Sequence, residues 1–131
     1  MLHKLTIICR LIILALVLFA GCDKEEDNLK DPTISFKTGE GYTYNSKSVP
    51  IGDSVKVGIV AESNGVNNLI YFEIKLNEAT IDSYSIDKPK LDVDITITKG
   101  DAATEVWKFK VTDNGERSDS VSLTLTKSSS R

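Results

Sequence analysis

Trp107-Lys108-Phe109-Lys110-Val111-Thr112-Asp113-Asn114-Gly115 is the stretch that decides the fold. Trp107, Phe109 and Val111 alternate with Lys108 and Lys110, so a strand built from them buries one face and wets the other. Asp113-Asn114-Gly115 then breaks the run with residues that tolerate the tight backbone of a hairpin. A second alternating run returns from the turn, with Val121, Leu123 and Leu125 apolar against Ser122 and Thr124. Trp107 shares the parity of Phe109 and Val111, which assigns it to the core.

The same period of two extends upstream to Pro32. Ile34 and Phe36 alternate, and Val55, Val57, Ile59 and Ala61 alternate against Lys56 and Gly58. Ile70, Phe72, Ile74 and Leu76 alternate against Tyr71, Glu73 and Lys75, which turns Tyr71 outward. Leu91, Val93, Ile95 and Ile97 alternate against Asp92, Asp94 and Thr96, which turns both aspartates to water. Thr80 to Ile86 reads as a weaker strand with no clear inner face. Turn chemistry at Pro50-Ile51-Gly52-Asp53 and Ser63-Asn64-Gly65 separates the runs. No segment beyond residue 21 sustains a helical apolar period. The expectation is an all-β chain, an antiparallel sandwich of about seven strands spanning 32–127, with a disordered tail at 128–131.

The hairpin from Trp107 to Gly115 and Ser120 to Thr126 resembles the last hairpin of immunoglobulin-like modules of the PKD and fibronectin-III kind. The resemblance implies an Ig-like β-sandwich. The Gly-Asp-Gly signature of PKD domains and the paired cysteines of antibody domains are absent, so the likeness stops at Ig-like.

The first 21 residues read differently. His3, Lys4 and Arg10 precede an unbroken apolar run, Leu11 to Ala20. Ten residues are too few to cross a bilayer core, which takes about 20 in a helix. Ala20-Gly21-Cys22 follows and resembles the lipobox of bacterial lipoproteins, with Phe19 where that family usually has Leu. The resemblance implies a signal peptide over 1–21, and a mature chain that begins at an acylated Cys22 and is held to the membrane by its lipid. Two or three acyl chains, each buried methylene contributing about 0.8 kcal/mol, make release negligible.

Asp23-Lys24-Glu25-Glu26-Asp27 resembles the acidic tag after the lipidated Cys of surface-exposed Bacteroidota lipoproteins. It implies an outer-membrane, cell-surface location. Residues 22–31 carry a single apolar side chain beyond the cysteine, Leu29, and read as a disordered acidic tether.

Composition closes off most chemistry. The only histidine is His3 and the only cysteines are Cys9 and Cys22, all within or at the end of the signal. A processed chain has neither imidazole nor free thiol, so Ser-His-Asp, Cys-His and zinc sites are excluded. Without the signal, fourteen bases face nineteen acids, a formal charge of −5, which gives nucleic acid nothing to hold. Gly39-Glu40-Gly41 lacks the third glycine of a dinucleotide loop. Asp113, Asn114, Glu116 and Asp119 offer oxygen ligands of the kind Ca²⁺ takes, but the same residues are what a hairpin turn requires. No metal or other cofactor is expected, and no enzymatic activity.

What remains is recognition. Tyr42, Tyr44 and Tyr71 are candidate ligand-binding residues, since exposed tyrosines stack on sugar rings or anchor protein contacts. Ser54 and Ser120 lie in Asp-Ser-apolar triplets that resemble the O-glycosylation sequon of exported Bacteroidota proteins. The expected role is a membrane-anchored binding or spacer module for a glycan or protein partner at the envelope. The alternative is a structural part of a lipoprotein assembly, joined through an exposed edge strand.

Overall fold

A computed structural model describes residues 30–129. The signal peptide, Cys22 and tether predicted from the sequence lie, up to residue 29, outside the described residues, as do Ser130 and Arg131. Eight strands follow one another: β1 Thr33–Phe36, β2 Lys47–Val49, β3 Ser54–Glu62, β4 Leu69–Leu76, β5 Ala79–Lys88, β6 Lys90–Thr98, β7 Thr104–Asp113 and β8 Ser118–Lys127. There is no helix among the described residues.

The strands form two sheets, β1-β3-β6 and β2-β8-β7-β4-β5. Every pair is antiparallel except β2 with β8. The core is the set of inward alternating residues: Val57, Ile59 and Ala61 from one sheet meet Phe72, Ile74, Phe109, Val111, Leu123 and Leu125 from the other. Phe109 anchors it, edge-on to Phe36 at 6.0 Å between ring centroids and stacked on Phe72 at 6.5 Å.

Three features depart from the sequence expectation. The strands number eight rather than about seven, because Lys47–Val49 adds a short parallel strand to the end of β8, through Lys47↔Leu125 and Val49↔Lys127. Three residues are too few to show a period. The inward parity of β4 changes at its start: Leu69 is fully buried and Ile70 only half. The register shifts between Leu69 and Tyr71, with one extra residue on β4 against β7 and one extra on β5 against β4, and the alternation flips there. On β6, Leu91, Val93 and Ile95 point inward yet stay half-buried, since β6 is the edge of the smaller sheet.

β4 and β5 join through Asn77 and Glu78, both at positive φ (49° and 69°). That is the geometry a two-residue hairpin prefers, and Asn accepts it more readily than most residues. Asn77 holds the turn to β7, its Oδ1 accepting from the Val106 N–H at 2.9 Å.

Candidate binding surfaces

The outer face of the three-stranded sheet carries a polar cluster. Gly58 on β3 stands in register with Asp94 on β6, and the side chains of Lys37 and Tyr42 lie across it. A Cβ at position 58 would stand 2.6 Å from Lys37 Cδ and 2.7 Å from Tyr42 Cε1, which is why a glycine sits there. Lys37 Nζ binds Asp92 and reaches Asp94 Oδ1 at 2.9 Å. Lys56 Nζ is 3.3 Å from Asp94 Oδ2, and the Tyr42 hydroxyl donates to the same oxygen at 3.2 Å. Both ammonium groups lie over the Tyr42 ring, at 5.7 and 4.8 Å from its centroid.

These contacts set the ionisation of the cluster. The hydrogen bond from Lys37, with a smaller one from Lys56, holds the Asp94 carboxyl below its usual range against partial desolvation. Bonds to Asp92 and then Asp94 push the Lys37 ammonium above its own range. A carboxylate with a lowered folded-state pKa stabilises the fold above the ordinary carboxylate range, and the contribution is lost as pH falls through the lowered value. NMR titration of the Asp94 side chain should therefore show a depressed midpoint, and Lys37→Met should raise it. A midpoint unmoved by that change would mean the pair does not form in solution.

Tyr42 is thus committed to internal contacts, while Tyr44 is 38% and Tyr71 44% exposed. Tyr42 and Tyr44, with Asn45, Ser46 and Lys47, line a shallow depression of about 160 Å³. Tyr71 lies on β4 in the other sheet, so the three tyrosines do not share one platform. Ser54 and Ser120 are exposed, on β3 and β8 respectively; the Ser54 hydroxyl is 2.9 Å from that of Thr98.

One carboxylate oxygen closes the β7–β8 turn, while the other, Asp113 Oδ2, is buried without a hydrogen-bond partner among the described residues. Asp113 is fully buried, and its Oδ1 accepts from the Gly115 and Arg117 amides at 2.8 and 2.9 Å. Asp119 Oδ2 accepts from the Ile34 amide at 3.1 Å, tying β8 to β1. Among the described residues no three His, Cys, Asp or Glu side chains converge as a metal site would need.

Two features carry no signal in the sequence. One is a buried ion pair where β6 leads into β7. Lys99 and Glu105 are both almost fully buried, with Nζ 3.6 Å from Oε1. Lys99 also donates to the carbonyls of Gly100 (2.8 Å) and Ala102. Glu105 accepts from the Gly100 amide at 2.8 Å and from Trp107 Nε1 at 3.3 Å. A lysine just past a strand end carries no sequence sign of burial.

The other is a mostly apolar groove of about 270 Å³ at the open side of the sandwich, lined by Phe72, Tyr84, Ile86, Leu91, Val93 and Ile95, with Asp94 at its rim. Its walls are β5 and β6, the free edges of the two sheets. The Tyr84 ring stacks on Phe72 at 6.1 Å between centroids, yet remains 47% exposed. Its hydroxyl donates to Asp82 Oδ2 at 2.5 Å, which raises the phenol above its ordinary range. The tendency of Leu91, Val93 and Ile95 to face inward was legible in the sequence. That they stay partly open among the described residues was not.

No protein-family model matches the chain, and no curated protein matches it. Solved structures match its fold. The CARDB domain of a Pyrococcus furiosus protein superposes with a TM-score of 0.52 at 8% identity, over 75% of this chain and 96% of that one. The PKD domain of an M14-like peptidase from a Thermoplasmatales archaeon gives 0.50 at 16% identity, over 76% and 94%. The domain is an Ig-like sandwich. Fibronectin(III)-like modules from Clostridium thermocellum align at a TM-score of 0.48 and 11% identity, covering 74% of this chain, which spans 46% of theirs. The CARDB and PKD likenesses establish the Ig-like fold, and at these identities they assign no ligand.

Proposed function

We propose that this chain is a lipid-anchored envelope protein whose Ig-like domain recognises a protein partner through the open side of the sandwich. The observation that carries the reading is the groove: apolar side chains from both sheets converge between two strand edges that are unpaired among the described residues, and remain accessible. Surfaces of this kind mark interaction sites, since an apolar concavity gains by being covered. A glycan platform is less well supported, because the Tyr42 ring is engaged by Lys37 and Lys56.

The anchor follows from Leu11–Cys22 and the acidic residues after it. The chain enters the sandwich at Thr33, which pairs with Glu62, itself opposite Lys90.

Two measurements on the full chain in its host test this. Radiolabelled palmitate should enter the protein and fail to enter Cys22→Ala. A photo-reactive residue at position 84, in the groove, should give a discrete cross-linked adduct, while one at the exposed position 122 on β8 should not. Absence of label would remove the anchor, and equal cross-linking at both positions would remove the groove.

A further inference from the structure

We infer that the groove is a strand-acceptor site. An extended segment of the partner protein, apolar at every second residue and basic in between, adds antiparallel to the free edge of β6 and lays its apolar side chains over Tyr84 and Ile86. This rests on the recognition reading above and specifies the partner's chemistry.

The unequal sheets make room for such a strand. Three strands face five, and the side chains of β6 meet Phe72 of β4 across the groove. The next strand position beyond β6 therefore stands over β5, which no described strand faces. Neighbouring strands lie about 4.8 Å apart and packed sheets about 10 Å, so a ninth strand there would complete a four-on-five sandwich.

Of the four edge strands, β6 is the suitable template. β1 and β2 have four and three residues. β5 is longer, but its pairing with β4 shifts register twice. β6 pairs with β3 from Lys90 to Thr98 with no irregularity, so its free edge presents backbone donors and acceptors in regular order. Main-chain bonding of this kind supplies affinity, and the alternate side chains supply selectivity.

Charge selects the occupant. The outward row of β6 is Lys90, Asp92, Asp94, Thr96 and Thr98. Among the described residues, the cations that touch Asp92 and Asp94 are Lys37 and Lys56, which come from the β1–β3 side. The Asp92 side chain remains 71% exposed. A strand on the free side is complementary when it sets Lys or Arg opposite these aspartates. A second copy of the chain is not: pairing β6 with itself over its full length centres on Asp94 and sets that carboxylate against its own equivalent.

The test uses the isotope-labelled full chain in detergent micelles and the capped nonapeptide TVTVKVKVE, whose lysines fall opposite Asp92 and Asp94 in antiparallel register. The peptide should bind saturably and slow amide exchange along β6. The charge-reversed peptide TVTVEVEVK should bind roughly tenfold more weakly, and Asp92→Lys, a change at an exposed position, should narrow or invert that preference. No saturation at millimolar peptide, equal binding of both peptides, or protection on β5 instead of β6 would overturn the inference. A cross-link from position 84 without peptide binding would leave partner recognition standing and remove strand addition alone.

Discussion

Replacing Glu105 with alanine should destabilise the domain by about 3–5 kcal/mol, because it leaves a buried ammonium without its counter-ion. Lys99 would keep its bonds to the carbonyls of Gly100 and Ala102 but lose its carboxylate partner, Glu105. The Gly100 amide and Trp107 Nε1 would lose their acceptor as well. Small domains have about 5–15 kcal/mol of stability in all, so a loss of this size should lower the midpoint of thermal unfolding by more than about 10 °C.

Glu105→Gln separates the causes. It keeps an oxygen for the amide and removes the charge, and should fall between wild type and alanine. Lys99→Met combined with Glu105→Gln should recover part of what either loses alone, since neither position then leaves an unpaired charge. Denaturant midpoints of the four chains give the coupling. Strict additivity would mean the two groups do not interact.

Phe109→Ala should cost a comparable amount, about 3–5 kcal/mol, by a different route. Phe109 is fully buried on the central strand β7, between Ile74 on β4 and Val121 on β8. It touches rings from both sheets, Phe36 and Phe72. Removing it opens a cavity that rigid sheets cannot collapse to fill. Tyr71→Ala, one strand away and facing solvent, should stay within about 0.5 kcal/mol. Guanidinium unfolding of both variants provides the comparison; similar losses would mean that the parity assigned to β4 and β7 is wrong.

The legible part of this protein was whatever repeats every second residue. Val57, Ile59, Phe72, Ile74, Phe109, Val111, Leu123 and Leu125 announce their burial through alternation alone, and all eight are in the core. The Asp113-Asn114-Gly115 break sits at the hairpin it implies, with Asp113 closing β7 and its carboxylate capping the turn. The candidate binding residues were less legible. Nothing in the spacing of Tyr42 shows that its hydroxyl meets Asp94, fifty-two positions away. Nor does the pattern at Leu69 show that a bulge reverses its parity, because a bulge is set by the neighbouring strands and not by the residue itself.

Alternation and turn chemistry, and hence amphipathic strands that must share a core, were written locally along the chain, because side-chain direction along a strand is a local property of the backbone. The tertiary structure alone decided which strands are neighbours and where each sheet ends. It therefore decided that Lys99 and Glu105 are buried together, that Lys37 reaches Asp92 and Asp94, and that β5 and β6 leave an apolar gap between them. Edges and gaps arise from pairing between distant segments, and a pattern of period two carries no record of its partner.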